Sequence, residues 1–163
     1  MGYQDCIGEV GRHSVGPAEA ARKWITENAK QPFFLSLGFA ETHRGFSPAE
    51  PSDRPGYTAP LPWLPDRPEI REDVTDLNTS VRHVDQGVGI VMATLDQLEI
   101  AKDTLLIFTT DHGVAIPKGK STLYDAGIGV ALVMRGPGGF NGGKVIDSIV
   151  SQIDLFPTVM ELA

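Results

Sequence analysis

Three short stretches carry the side chains best suited to chemistry. Asp111-His112-Gly113 closes the apolar run Leu105-Leu106-Ile107-Phe108-Thr109-Thr110, and Pro117-Lys118-Gly119-Lys120-Ser121-Thr122-Leu123-Tyr124 follows. Glu41-Thr42-His43-Arg44 closes an earlier apolar run, Phe33 to Phe39. A carboxylate beside an imidazole can take two sides of one divalent ion, with Gly113 releasing the backbone to turn. A lysine ammonium such as Lys120 is a compact charge that suits sulfate or phosphate oxygens. His43 can donate to a substrate oxygen or act as a general acid. Each has a plainer reading: Asp111 caps a turn, His112 lies on the surface, Lys118 and Lys120 are solvated, and His43 bonds a backbone carbonyl. What sets them apart is their shared place at the ends of strands, where ligands of open α/β sheets gather. If the strands are parallel the loops converge, and that convergence suits an anionic group held on a metal.

The elements that must position them are readable from periodicity. Residues 1–16 are polar and glycine-rich and read as a loop. Pro17 fits the first turn of a helix, with Ala21, Trp24, Ile25 and Ala29 on one face. Phe33–Phe39 reads as a buried parallel strand. The segment from Glu41 to Arg67 holds a proline cluster and is long for a connection, as functional loops are; Trp63 reads as an anchor that packs it down. Val74, Leu77, Val81, Val84, Val88, Val91, Leu95 and Leu98 form one apolar stripe along a long helix. Gly87 and Gly89 within it mark a bend or a close approach. Thr104–Thr110 and Gly129–Met134 read as further buried strands, Val145–Ile153 as a short one. Asp154 is positioned to cap a last helix from Phe156-Pro157 to Ala163. Strands alternating with helices predict an α/β domain with a parallel sheet.

Composition narrows the partners. A length of 163 residues suits one domain, and 41% hydrophobic residues support a core. A formal net charge of −7 argues against a nucleic-acid partner, while a local cationic site still permits an anionic small substrate. The single cysteine, Cys6, cannot form an internal disulfide and reads as a bland thiol. No run is long and apolar enough for a membrane span, and no signal peptide opens the sequence.

Together the motifs resemble the sulfatase family, within the alkaline-phosphatase-like superfamily. The resemblance runs from about Pro32 to the end and rests on Pro32-Phe33-Phe34-Leu35 with Thr42-His43, Val84-Asp85-Gln86-Gly87-Val88-Gly89, Asp103 to Gly113, Gly119 to Gly127, and Asp154-Leu155-Phe156-Pro157-Thr158. Within the family it looks nearest heparan N-sulfatase-type members. The resemblance implies an alkaline-phosphatase-like sheet with flanking helices, present in part, with the N-terminal strand and nucleophile region missing. Residues 1–163 would then be a partial catalytic domain, 1–16 a loop and 17–163 the α/β core. Asp111 and His112 would be metal ligands, and Lys120 and His43 would bind the sulfate and assist catalysis. Calcium is the family default; His112, an imidazole where many members have an amide, makes manganese or zinc alternatives. Family members use a formylglycine made in a C/S-x-P-x-R motif and a pair of consecutive aspartates, and neither pattern occurs in these residues. The implied function is metal-dependent hydrolysis of a small-molecule or glycan sulfate ester, or an N-sulfate, in the complete protein, with little turnover by this chain alone. The alternatives are a phosphodiesterase or phosphonate monoester hydrolase relative, and a catalytically inactive binding module. Exported, periplasmic or lysosomal placement would follow from an upstream signal.

Overall fold

The computed structural model describes Asp5, residues 13–137, Phe140 and residues 142–162. Cys6 lies outside the described residues. Helix α1, Val15–Asn28, begins two residues before Pro17 and buries Ala18, Ala21 and Ile25. These recur at spacings of three and four, so they share one face. Helix α2, Pro68–Gln97, starts with Pro68 in its first turn, where the absent N–H is no loss. Val91 and Leu95 of α2 pack with Ala18, Ala21 and Ile25 as the core.

Phe33, Leu35, Leu37 and Phe39 also pack on that core, while Phe34 is exposed. This period-two burial is that of an extended segment with one covered face. Its burial alternates between half-buried and exposed from Phe33 to Phe39, so the expected buried strand is corrected to a half-buried extended run. Its composition signals a covered face and cannot supply a neighbour.

The sheet pairs β1, Leu106–Thr109, with β2, Leu132–Arg135, in antiparallel register, Leu106 opposite Arg135 and Thr109 opposite Leu132. This corrects the parallel arrangement expected from the sequence. A parallel pair needs a crossover, usually a helix packed on the sheet. Here the connection holds one short helix, α3, Asp125–Ile128, and the chain turns back on itself. The fold class is α/β, represented among the described residues by helices and a small two-stranded sheet.

The apolar stripe of α2 is observed, with Val74, Leu77, Val84, Val91 and Leu95 buried, but Val81 is exposed. A second face of α2 buries Thr75, Thr79 and Ser80, and this polar face holds the proline-rich loop. Ser47 N–H donates to Ser80 Oγ and Ala49 N–H to Asp76 Oδ1. Thr79 Oγ1 and Arg82 both donate to Asp53 Oδ2. Arg71 forks onto both Asp66 oxygens and also reaches the carbonyls of Gly56 and Thr58. A side-chain network therefore fixes a segment that has only one turn of regular structure, Pro55–Tyr57.

Gly87 and Gly89 behave differently. A Cβ at Gly87 would meet the Phe39 ring and Ser14 at 3.0 Å, whereas at Gly89 it would meet nothing within 4 Å. Gly87 is thus the close approach, and the helix continues unbroken through both. Val145–Ile153 forms no strand, and Val145, Ile146 and Ile149 are exposed. The last helix, α4, Leu155–Leu162, follows a 3-10 turn over Gln152–Asp154. Ser151, not Asp154, is the cap: its Oγ accepts from Ile153 N–H, and its own N–H donates to Asp154 Oδ2. The serine precedes the turn that the sequence pattern hides, which displaced the expected cap by three positions.

Candidate active site

Strand β1 delivers Thr110, Asp111 and His112 into a turn that closes against the chain entering β2. Gly113 N–H donates to the Gly127 carbonyl at 2.9 Å. A Cβ on Gly113 would stand 1.8 Å from the Ala126 carbonyl oxygen, so two backbones touch where glycine alone fits. This close approach holds the Asp111-His112 pair in place.

The side chains of Asp111 and His112 face each other, Oδ2 to Nε2 at 3.4 Å. His112 Nδ1 is 2.8 Å from the Gly113 carbonyl. A carbonyl only accepts, so Nδ1 donates to it, and Nε2 is the ring nitrogen turned toward Asp111. Both side chains line an open cavity of about 300 Å³ with Gly127, Ile128, Val130, Val150, Ser151 and Gln152. The Asp111 side chain is 87% exposed.

Two donors bound to one ion lie roughly 3.4 Å apart, whether the bonds are near 2.1 Å at a tetrahedral angle or near 2.4 Å at a right angle. The observed separation therefore fits one edge of a metal shell for either zinc or calcium. Among the described residues no group of three or more His, Cys, Asp or Glu side chains could hold an ion.

The lysine loop folds back on the same turn. Lys120 N–H donates to the Val114 carbonyl, and Gly119 N–H to the Ile116 carbonyl, both at 2.8 Å. Thr122 Oγ1 reaches the carbonyls of Lys118 and Gly119. Lys118 and Ser121 both have φ of 65°, a left-handed backbone that costs a non-glycine residue about 1–2 kcal/mol. The loop thus holds a strained conformation around Lys120. Trp63 Nε1–H, from the proline-rich loop, donates to the Pro117 carbonyl at 2.9 Å. Its expected role as an anchor is borne out, and its anchorage is the lysine loop itself. Lys118 lies over the Tyr124 ring, 5.9 Å from the centroid.

His43 and Lys120, distant in sequence, meet: Lys120 Nζ is 3.5 Å from His43 Nε2. His43 Nδ1 is 3.2 Å from the Arg44 carbonyl, so Nδ1 donates and Nε2 accepts from the ammonium. One imidazole and one ammonium therefore converge on the same exposed spot, a pairing suited to a tetrahedral oxoanion. Arg44 turns away to pair with Asp73 of α2 at 2.7 Å.

Glu41 and Gln152 join the site from the structure. Glu41 is 7% exposed beside this histidine turn, with Oε2 accepting from Ala40 N–H and Oε1 unpartnered. Gln152 Nε2 donates to the Thr110 carbonyl at 2.6 Å and to Thr109 Oγ1 at 3.3 Å, tying the capping turn to the end of β1. An acid directly after an apolar run was a visible signal for Glu41; the Gln152 contact has no local signature.

The family model described as Sulfatase matches residues 17–163. Human N-sulphoglucosamine sulphohydrolase is 30% identical, over 94% of this chain and 36% of its own length. Mouse steryl-sulfatase is 30% identical, over 90% of this chain and 24% of its own. An endo-4-O-sulfatase of Bacteroides thetaiotaomicron is 30% identical, over 83% of this chain and 29% of its own. The chain spans about a third or less of the length of these curated relatives.

Proposed function

The chain belongs to the sulfatase family, and we propose that it forms the oxoanion-binding and partial metal-binding part of a sulfuric ester hydrolase site. The single observation that carries this reading is the meeting of Lys120 Nζ with His43 Nε2 at 3.5 Å, in a chain whose relatives are sulfatases. The family generally uses a divalent metal and a formylglycine. A bound metal would place positive charge against the sulfate oxygens and the formylglycine would supply the nucleophile; Asp111 and His112 are the residues that would hold the metal.

The chain's own residues account for the rest. Lys120 neutralises the sulfate oxygens as a point charge, and its strained, cross-braced loop keeps that charge preorganised. His43 accepts at Nε2 in its neutral form. With a proton there it becomes a donor to the oxygen or nitrogen released as the bond to sulfur breaks. His112, fixed as its Nδ1–H form by Gly113, keeps Nε2 beside Asp111. A nitrogen donor here favours a softer ion than an amide would, and manganese or zinc joins calcium as the candidate metal. His112 also favours a second reading, a phosphate or phosphonate ester hydrolase.

The test compares an aryl sulfate, an N-sulfated glucosamine and a phosphate diester as substrates of the longest form of the protein that its coding sequence supports. Sulfate release that falls about 100- to 1,000-fold in Lys120→Ala supports the proposal. Turnover of the phosphate diester alone would establish the second reading. The 163-residue chain by itself is expected to bind sulfate without turnover.

A further inference from the structure

We infer that Trp63 is a positioning residue for Lys120, so that the proline-rich loop acts as a strut for the anion site. The inference rests on the reading of Lys120 and His43 as the oxoanion pair.

Three observations carry it. Lys118 and Ser121 hold left-handed φ values on either side of Gly119-Lys120, and such conformations persist only where surrounding structure over-determines them. The loop's own hydrogen bonds run to Val114, Ile116, Lys118 and Gly119; the Trp63 bond to Pro117 reaches it from outside, across 54 residues of sequence. The far end of the proline-rich loop is itself fixed, because Asp53, Thr58 and Asp66 are bonded to Arg82, Thr75 and Arg71 of α2. A rigid helix thereby braces the lysine loop through one indole N–H. The same segment carries His43 near its start, so the strut joins both members of the oxoanion pair at separate points.

Two tryptophans are present, Trp24 and Trp63, so Trp24→Phe leaves Trp63 as the sole indole reporter. Inorganic sulfate titrated into this chain, with chloride holding ionic strength constant, is expected to change Trp63 emission saturably. Adding Lys120→Ala should remove the change. Calorimetry on Trp63→Phe, which keeps a ring but loses the N–H, is expected to show sulfate binding about 3- to 10-fold weaker. A purely structural role would lower the unfolding midpoint without making the indole respond to sulfate. The emission measurement needs no substitution at Trp63 and so stands even if Trp63→Phe misfolds. Calorimetric sulfate binding with no response at Trp63, or with unchanged affinity in Trp63→Phe, would overturn the strut alone. Absence of sulfate binding in the unsubstituted chain would overturn the oxoanion site and the strut with it.

Discussion

Replacing Gly113 by alanine tests the packing that positions Asp111 and His112. Gly113 has an ordinary φ, so alanine meets no backbone penalty of its own. Its Cβ would stand 1.8 Å from the Ala126 carbonyl oxygen and 2.7 Å from the Ala126 carbonyl carbon and the Gly127 Cα. Ordinary contact begins at 3.4 Å, so one backbone must retreat by about 1.6 Å. All three obstacles are main-chain atoms, and no rotamer change relieves them. The retreat also breaks the hydrogen bond from Gly113 N–H to Gly127. Overpacking of this kind costs typically 1–3 kcal/mol, and more where neighbours cannot move. At about 3 kcal/mol, and roughly 2–4 °C per kcal/mol for a chain of this size, Tm falls by about 6–12 °C. Gly89→Ala is the matched control, because its Cβ meets nothing within 4 Å. There the helix gains about 1 kcal/mol and Tm rises by roughly 2–4 °C. Scanning calorimetry on both variants is the assay. An unchanged Tm in Gly113→Ala, or an equal fall in Gly89→Ala, would refute the assignment of Gly113 as the contact that fixes the turn.

Ile25, buried between the helices, should lose about 2–5 kcal/mol as Ile25→Ala, read as a lowered urea midpoint with an unchanged slope. Asp53 is held below the usual carboxylate range by the Glu50 N–H first and by Arg82 next. A depressed folded value means that its contribution is present above about pH 4 and is lost as pH falls through the folded value. Hydrogen exchange at the Glu50 amide should therefore accelerate, relative to its intrinsic rate, in acid below about pH 4, and Asp53→Asn should flatten that dependence. Asp111→Ala should weaken manganese binding about 10-fold or more by calorimetry; an unchanged affinity would place the ion elsewhere.

Much of this site was legible because its signals are local. Asp111 and His112 stand at the end of a β-branched and aromatic run, and Lys120 lies in a glycine-bearing loop just beyond. The helices were legible from the spacing of Ala21 and Ile25, and of Val74 to Leu95. Sheet direction was not, because apolar runs report burial and carry no sign for orientation. The antiparallel return of β2 is accompanied by the bond from Gly113 N–H to the Gly127 carbonyl, which glycine content alone cannot announce. Phe33–Phe39 misled for a related reason: seven apolar or small residues fit a strand covered on two faces as readily as on one. Long-range polar contacts were the least legible. Trp63 to Pro117 and Gln152 to Thr110 join residues whose types suit many other partners.

The central claim is that His43 and Lys120 hold one oxoanion. Nuclear magnetic resonance of the four histidine rings during a sulfate titration tests it most directly. A saturable shift is expected at the His43 ring, with little change at His13 and His83 and loss of the His43 response in Lys120→Ala. Equal small shifts at all four rings, or a His43 response that survives Lys120→Ala, would contradict it.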